Sequence, residues 1–265
     1  MSMSISPTKA MIKRLIPLLA LLFFAWPSHA AFTVTSAGTA GVNSGSATFL
    51  ATSSYNQPVH DCIVVFSSAL GSGNVPNTPT DTALDTFTSI LSFTGANTFT
   101  NQAWIAYNGA GSSVNVVTQT YGSAATVAYA TLTTYDVNPG GNCTSTLLDV
   151  NASTVDVTVS DGGSFTSNSF STAAASEAIF TWINDGFAGL QSATAPSGYT
   201  SGSLVGQSGG DYISVTAYKI LSSTLTGATV SWTSVTLGGP YDMIMLSLKA
   251  PAAGGTVRRR GAVIQ

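Results

Sequence analysis

The chain has 265 residues, 44% of them hydrophobic and 7% charged, with 36 serines, 36 threonines, 26 glycines and one glutamate, Glu177. The apolar content and low charge exclude disorder, and the scarcity of Glu, Lys and Leu at helical period excludes a coiled coil or helical bundle. Six of the eight basic residues lie at the two ends, so the body from 31 to 257 sets only Lys219 and Lys249 against eleven carboxylates, formally −9. Such a surface repels phosphate backbones and makes nucleic acid an unexpected partner of the body. It also offers no arginine fork for an anionic substrate.

Residues 1–30 read as a secretory signal. Lys9, Lys13 and Arg14 supply the positive region, Leu15 to Trp26 the apolar run, and Pro27-Ser28-His29-Ala30 the small-residue cleavage region. Cleavage is expected after Ala30, and the protein is expected to be secreted. An apolar run of twelve residues is too short for a membrane anchor, and no later run reaches the ~20 residues of a membrane helix. Two cysteines remain, Cys62 and Cys143; in an oxidising compartment an even count predicts one disulfide.

Strand candidates follow in a series punctuated by Gly, Asn, Pro and Asp. They are 46–52, 61–68, 102–107, 113–120, 125–135, 154–160, 176–183, 212–220, 228–235 and 242–249. Helical signals are nearly absent; the alanine-rich stretch Ala173–Ala178 leads straight into a strand. Short strands at this spacing predict an all-β sandwich or barrel. The two halves also resemble each other at offsets of about 111 to 116 residues: Cys62–Phe66 with Ala178–Trp182, Phe87 with Tyr199, Val127–Thr131 with Met243–Ser247. That likeness has two readings, a duplication or two facing sheets that both obey period 2. With about five strands in each half, one sandwich over 31–250 is expected rather than two separate domains. Beyond it, 251–265 reads as a flexible linker and a basic tail, Arg258-Arg259-Arg260.

Catalytic signals are sparse. His60 is the only histidine after the leader, and Asp61 beside it points to the opposite face of a strand, so no Ser-His-Asp triad is expected. Asp61, Asp81, Asp85, Asp149, Asp156, Asp185, Asp211 and Asp242 are the carboxylates available for a glycosidase pair, but most sit in turn-like contexts that serve the backbone. Asp81 and Asp85 share one loop and are the candidates for Ca²⁺, with oxygen ligands from Asn77 and Thr80 nearby; no other cofactor is expected. Trp182, Asn184, Asp185 and Tyr199 are the candidate ligand-binding residues. An aromatic ring stacking on a pyranose, with amide and carboxylate groups for its hydroxyls, suits a glycan. The competing assignment places Trp104, Trp182 and Trp232 in the core.

Several segments carry a family resemblance. They are Asp61-Cys62-Ile63-Val64-Val65, Thr80 to Thr88, Ser113 to Thr118, Tyr129 to Tyr135, Ser197-Gly198-Tyr199-Thr200, Ala217-Tyr218-Lys219 and Met243 to Lys249. Together they resemble the concanavalin-like jelly-roll domains of secreted bacterial surface proteins and of phage tail or virion proteins. The resemblance spans nearly all of 31–250 and rests on structural motifs, so it brings no functional residues with it. The chain departs from the pattern at Leu84-Asp85, where the family has Gly-Asn, and in its cysteine pair. What the resemblance implies is an antiparallel jelly-roll sandwich used for adhesion, glycan binding or virion decoration. The expected molecule is therefore a secreted, non-enzymatic module for binding or display. Its partners would be a glycan, or a cell-surface or particle protein, including further copies of itself. Two other assignments compete with it: a structural protein of a virion or extracellular assembly, and a polysaccharide-active enzyme using an Asp pair.

Overall fold

A computed structural model describes residues 32–42, 47–71, 74–95, 99–122, 129–159, 163–185, 193–207, 211–235 and 239–252. The expected leader, its cleavage point after Ala30 and the arginine tail lie outside these residues. Among the described residues the chain is all-β with antiparallel pairing, broken only by a 3₁₀ turn at Ser145–Leu147.

The first half contributes ten strands: β1 (Thr33–Val42), β2 (Phe49–Ala51), β3 (Tyr55–Gln57), β4 (Cys62–Leu70), β5 (Thr80–Asp81), β6 (Phe87–Thr94), β7 (Phe99–Ala106), β8 (Ser112–Asn115), β9 (Val117–Thr120) and β10 (Ala130–Asn138). The second contributes seven: β11 (Leu148–Val159), β12 (Gly163–Thr166), β13 (Glu177–Asp185), β14 (Thr200–Gln207), β15 (Asp211–Ile220), β16 (Ser231–Val235) and β17 (Gly239–Lys249). Each half builds a five-stranded sheet in the same order: β1-β10-β4-β7-β6, and β11-β17-β13-β15-β14. In both, the first strand of the half pairs with the last. The smaller sheets repeat as well. The β2-β9-β5 sheet of the first half has its counterpart in β12-β16 extended by the Thr194–Thr233 bridge. The β3-β8 pair has its counterpart in the Phe170–Ala228 bridge.

Period-2 alternation, applied twice, stacks these sheets in four layers. On β4, Cys62, Val64 and Phe66 face inward and Ile63 and Val65 outward; on β13, Ala178, Phe180 and Trp182 face inward and Ile179 and Ile183 outward. The inward rows meet in one central core, so the two five-stranded sheets face each other. The outward row of β4 packs beneath β2 and β9 through Leu50 and Val117. That of β13 packs beneath β12 and β16 through Phe165 and Trp232. A central strand with apolar side chains on both faces reads as a continuous hydrophobic run, and Cys62–Phe66 is one. At the middle, Phe66 and Trp182 stack with ring centroids 6.3 Å apart and planes 7° from parallel. These two rings occupy like positions in their own sheets.

Further along the same inner faces the facing residues turn polar. Asn101 donates to Asp242 at 2.7 Å, Asn184 donates to Asn101 at 3.2 Å, and Ser68 lies 2.8 Å from the Thr131 hydroxyl. All five are buried, so both halves contribute to one polar row inside the interface. Near that row, Gly95 leaves no room for a Cβ against the Asp242 carboxylate.

Cys62 and Cys143 form the disulfide, with Cα atoms 5.3 Å apart. It ties the connector that follows β10 back to the first residue of β4. The Cys143 amide also donates to the His60 carbonyl at 2.9 Å. The predicted strand 113–120 is two, β8 and β9, because Val116 leaves the ladder where the chain passes from one small sheet to the next.

Candidate functional site

A surface cavity of about 560 Å³ lies over the small sheet of the second half. Its local structure begins with Pro196-Ser197-Gly198-Tyr199. The Tyr199 amide closes the turn on the Pro196 carbonyl at 3.0 Å, and Gly198 has φ +77°, the left-handed third position of a type II turn. A side chain at Gly198 would also crowd the Lys219 ammonium, at 3.3 Å. The turn delivers Tyr199 to the start of β14, beside Lys219 of β15, whose Nζ lies 5.6 Å from the ring centroid. Two bridges set the opposite wall: Thr194 with Thr233, at 2.8 and 3.1 Å, and Phe170 with Ala228, both bonds 2.9 Å. Thr229 and Ser231 add hydroxyl groups to the rim. Burial pushes the Tyr199 phenol up to about 12, so it is a neutral hydrogen-bond donor at any physiological pH.

The corresponding place in the first half holds a cluster of hydrogen-bonded side chains. Gln57 Nε2 donates to Asp85 at 2.6 Å, and the Ala110 amide donates to the other Asp85 oxygen at 2.7 Å. Asn115 donates to Asp81 at 2.8 Å, and the Asp85 amide donates to the second Asp81 oxygen, also at 2.8 Å. Asn115 further bonds Gln57 and the Tyr55 hydroxyl. Both oxygens of Asp81 and of Asp85 thus already accept protein donors. This is turn chemistry, in which carboxylates satisfy backbone amides. Burial, with Asp85 alongside, raises the Asp81 carboxyl above the usual range. Among the described residues no group of three His, Cys, Asp or Glu side chains has metal-site geometry.

The sequence-predicted ligand residues separate. Trp182 is fully buried on Phe66 and Asn184 lies in the polar row between the halves, so neither can meet a sugar at the surface. Trp104 and Trp232 are core residues too. Asp185 ends β13, and its side chain is outside the described residues. Of the three whose side chains are described, Tyr199 lines the cavity. His60 is a turn residue with φ +73°, its ring 2.6 Å from the Asn108 amide oxygen.

Sequence reasoning missed Lys219, Thr194 and Phe170 as partners of Tyr199. One signal was present: Lys219 is one of two cations in the body. It also missed Asp136, on β10. This carboxyl is buried, one of its oxygens has no hydrogen-bond partner among the described residues, and burial with Asp61 nearby pushes it up to about 7. Asp61 is buried and raised as well, chiefly by desolvation.

No protein-family model matches the chain, and no curated protein matches it in sequence.

Proposed function

We propose that the chain is a secreted, non-enzymatic binding module whose ligand is a saccharide held in the Tyr199 cavity. The observation that carries this reading is the lining: one half-buried aromatic ring among hydroxyl-bearing side chains, in a cavity sized for a sugar unit or two. Aromatic faces take the apolar C–H face of a pyranose, and Ser and Thr hydroxyls both donate and accept for its OH groups. The resemblance to concanavalin-like jelly-roll domains supports the same reading. So does the pairing of five-stranded and small sheets in each half, a layering that a jelly roll would supply. The signal-like leader and the disulfide support export.

The test is a glycan array probed with the mature protein, followed by the Tyr199→Ala variant. Binding should fall at least tenfold in the variant while its melting temperature stays close to that of the parent. Equal binding by parent and variant would sink the assignment.

A second reading, a decoration component of a particle or extracellular assembly, draws support from the first half. Its outer layer exposes Leu84 (87%), Val114 (64%) and Val59 (57%), apolar side chains that an assembly contact would cover. Sedimentation of the mature protein tests it: a monomer at tens of micromolar argues against self-assembly.

A further inference from the structure

We propose that the Tyr199 cavity selects acidic saccharides, those with a carboxylate on the sugar ring, through the Lys219 ammonium. The inference rests on the cavity being the saccharide site and adds the charge of the ligand.

Three observations carry it. First, the cavity lining contains one cation, Lys219, and no carboxylate. Elsewhere the body is strongly acidic, formally −9, so this is a local reversal of sign. Second, Lys219 has no carboxylate paired with it among the described residues; its ammonium is held by the Tyr199 ring. A cation over an aromatic face keeps its remaining N–H donors directed away from the ring, toward the cavity. A ligand carboxylate that enters the cavity meets this ammonium as a charge-assisted hydrogen-bond partner.

The third observation is the comparison of the halves. Asp81, Gln57 and Asn115, on β5, β3 and β8, form a hydrogen-bonded cluster in the first half, and the bridges that stand for those strands in the second half, Thr194–Thr233 and Phe170–Ala228, line the cavity. Where the first half has carboxylates answered by amides, the second has a cavity with hydroxyl groups on its lining. Phe87, which enters β6 as Tyr199 enters β14, is sealed in the first-half core. The second half has a phenol there and an ammonium beside it. The fold does not require these two polar groups, because the first half builds the same topology without them.

An ammonium is a point charge, so the contact needs one carboxylate oxygen within reach rather than a bidentate fork. The acidic body opposes long polyanions at a distance. At physiological salt, however, that field is screened beyond about 8 Å, which favours short acidic oligosaccharides.

The experiment is isothermal titration of the mature protein with trigalacturonate and with its methyl ester, which has the same skeleton without charge. The acid should bind at least tenfold more tightly than the ester, and Lys219→Gln should bring the two affinities together. Lys219→Arg should keep the preference, which separates loss of charge from loss of fold. Equal affinity for acid and ester in the parent would overturn the charge selection and leave the saccharide reading standing. Failure of both probes, with binding to neutral glycans on the array, would do the same. Failure of both probes and of the array would overturn the saccharide reading itself.

Discussion

Asp136 is a carboxyl that the fold holds against its own charge. It is 7% exposed, one oxygen lacks a partner among the described residues, and Asp61 lies close by. The titratable groups that act on it are Asp61, which opposes its ionisation, and Tyr55, while a hydrogen bond from the Val137 amide works the other way. Its folded-state value of about 7 lies above the ordinary carboxylate value of 3.8. The folded state therefore binds the proton more tightly than the unfolded chain. Stability is fully present below about pH 4 and is lost as pH rises through about 7. A tenfold difference in proton affinity corresponds to about 1.4 kcal/mol, and partial contact with water reduces the full amount, so a loss of about 2 kcal/mol is expected between pH 4 and 8. Melting temperature should accordingly fall over that range, and Asp136→Asn should flatten the fall. A profile unchanged by the substitution would show that other groups dominate, with Glu177 the first to test, since burial raises it too. No sequence pattern marks Asp136: within Thr133-Thr134-Tyr135-Asp136-Val137 it occupies an ordinary alternation position, and only the approach of Asp61 makes it unusual.

At the scale of elements, the central strands of the two five-stranded sheets were all legible. β4, β7, β10, β13, β15 and β17 each carry a run of apolar residues that water would oppose, and each was visible in the sequence, with the described part of β10 beginning at Ala130. The strands that were not visible are edges and small-sheet members: β1 (TVTSAGTAGV), β3, β5, β6, β12 and β14 (TSGSLVGQ). Their Ser, Thr and Gly content is low in hydrophobicity, and the neighbouring ladder fixes their conformation more than any propensity of their own. Gly202 on β14 shows the same dependence, since a Cβ there would run into Tyr135 and Thr216. The candidate site was legible only through Tyr199, because its other walls come from two isolated bridges that no local pattern announces. Trp182 has a different part, joining the two central sheets through its stack on Phe66. Replacing it with alanine should cost about 3–5 kcal/mol, read as a lowered urea midpoint with an unchanged slope. A cost under about 1 kcal/mol would mean the central core does not depend on this stack.

For the whole molecule, the likeness of the halves does not extend to covalent closure. The disulfide belongs to the first half alone, closing a separation of 81 residues, and no second pair exists among the chain's two cysteines. Loop-closure entropy predicts that it stabilises the protein by roughly 4–5 kcal/mol. The Cys62→Ser, Cys143→Ser double variant should then melt about 10 °C or more below the parent. A small shift, under about 3 °C, would mean that packing around the connector already restrains it.

The twofold likeness of the halves ends at their outer layers, where the first is filled by Gln57, Asn115, Asp81 and Asp85 and the second is hollow. One consequence concerns valence. A scaffold with two open cavities would bridge two glycan-bearing surfaces, whereas the described residues place the cavity proposed as the glycan site on the second half and a hydrogen-bonded cluster on the first. As a monomer it should coat glycan-displaying cells or beads without clumping them. Agglutination should appear only after the protein is joined in pairs, for instance through an antibody to a terminal tag. Agglutination by the untethered monomer would mean that the first half carries a berth of its own.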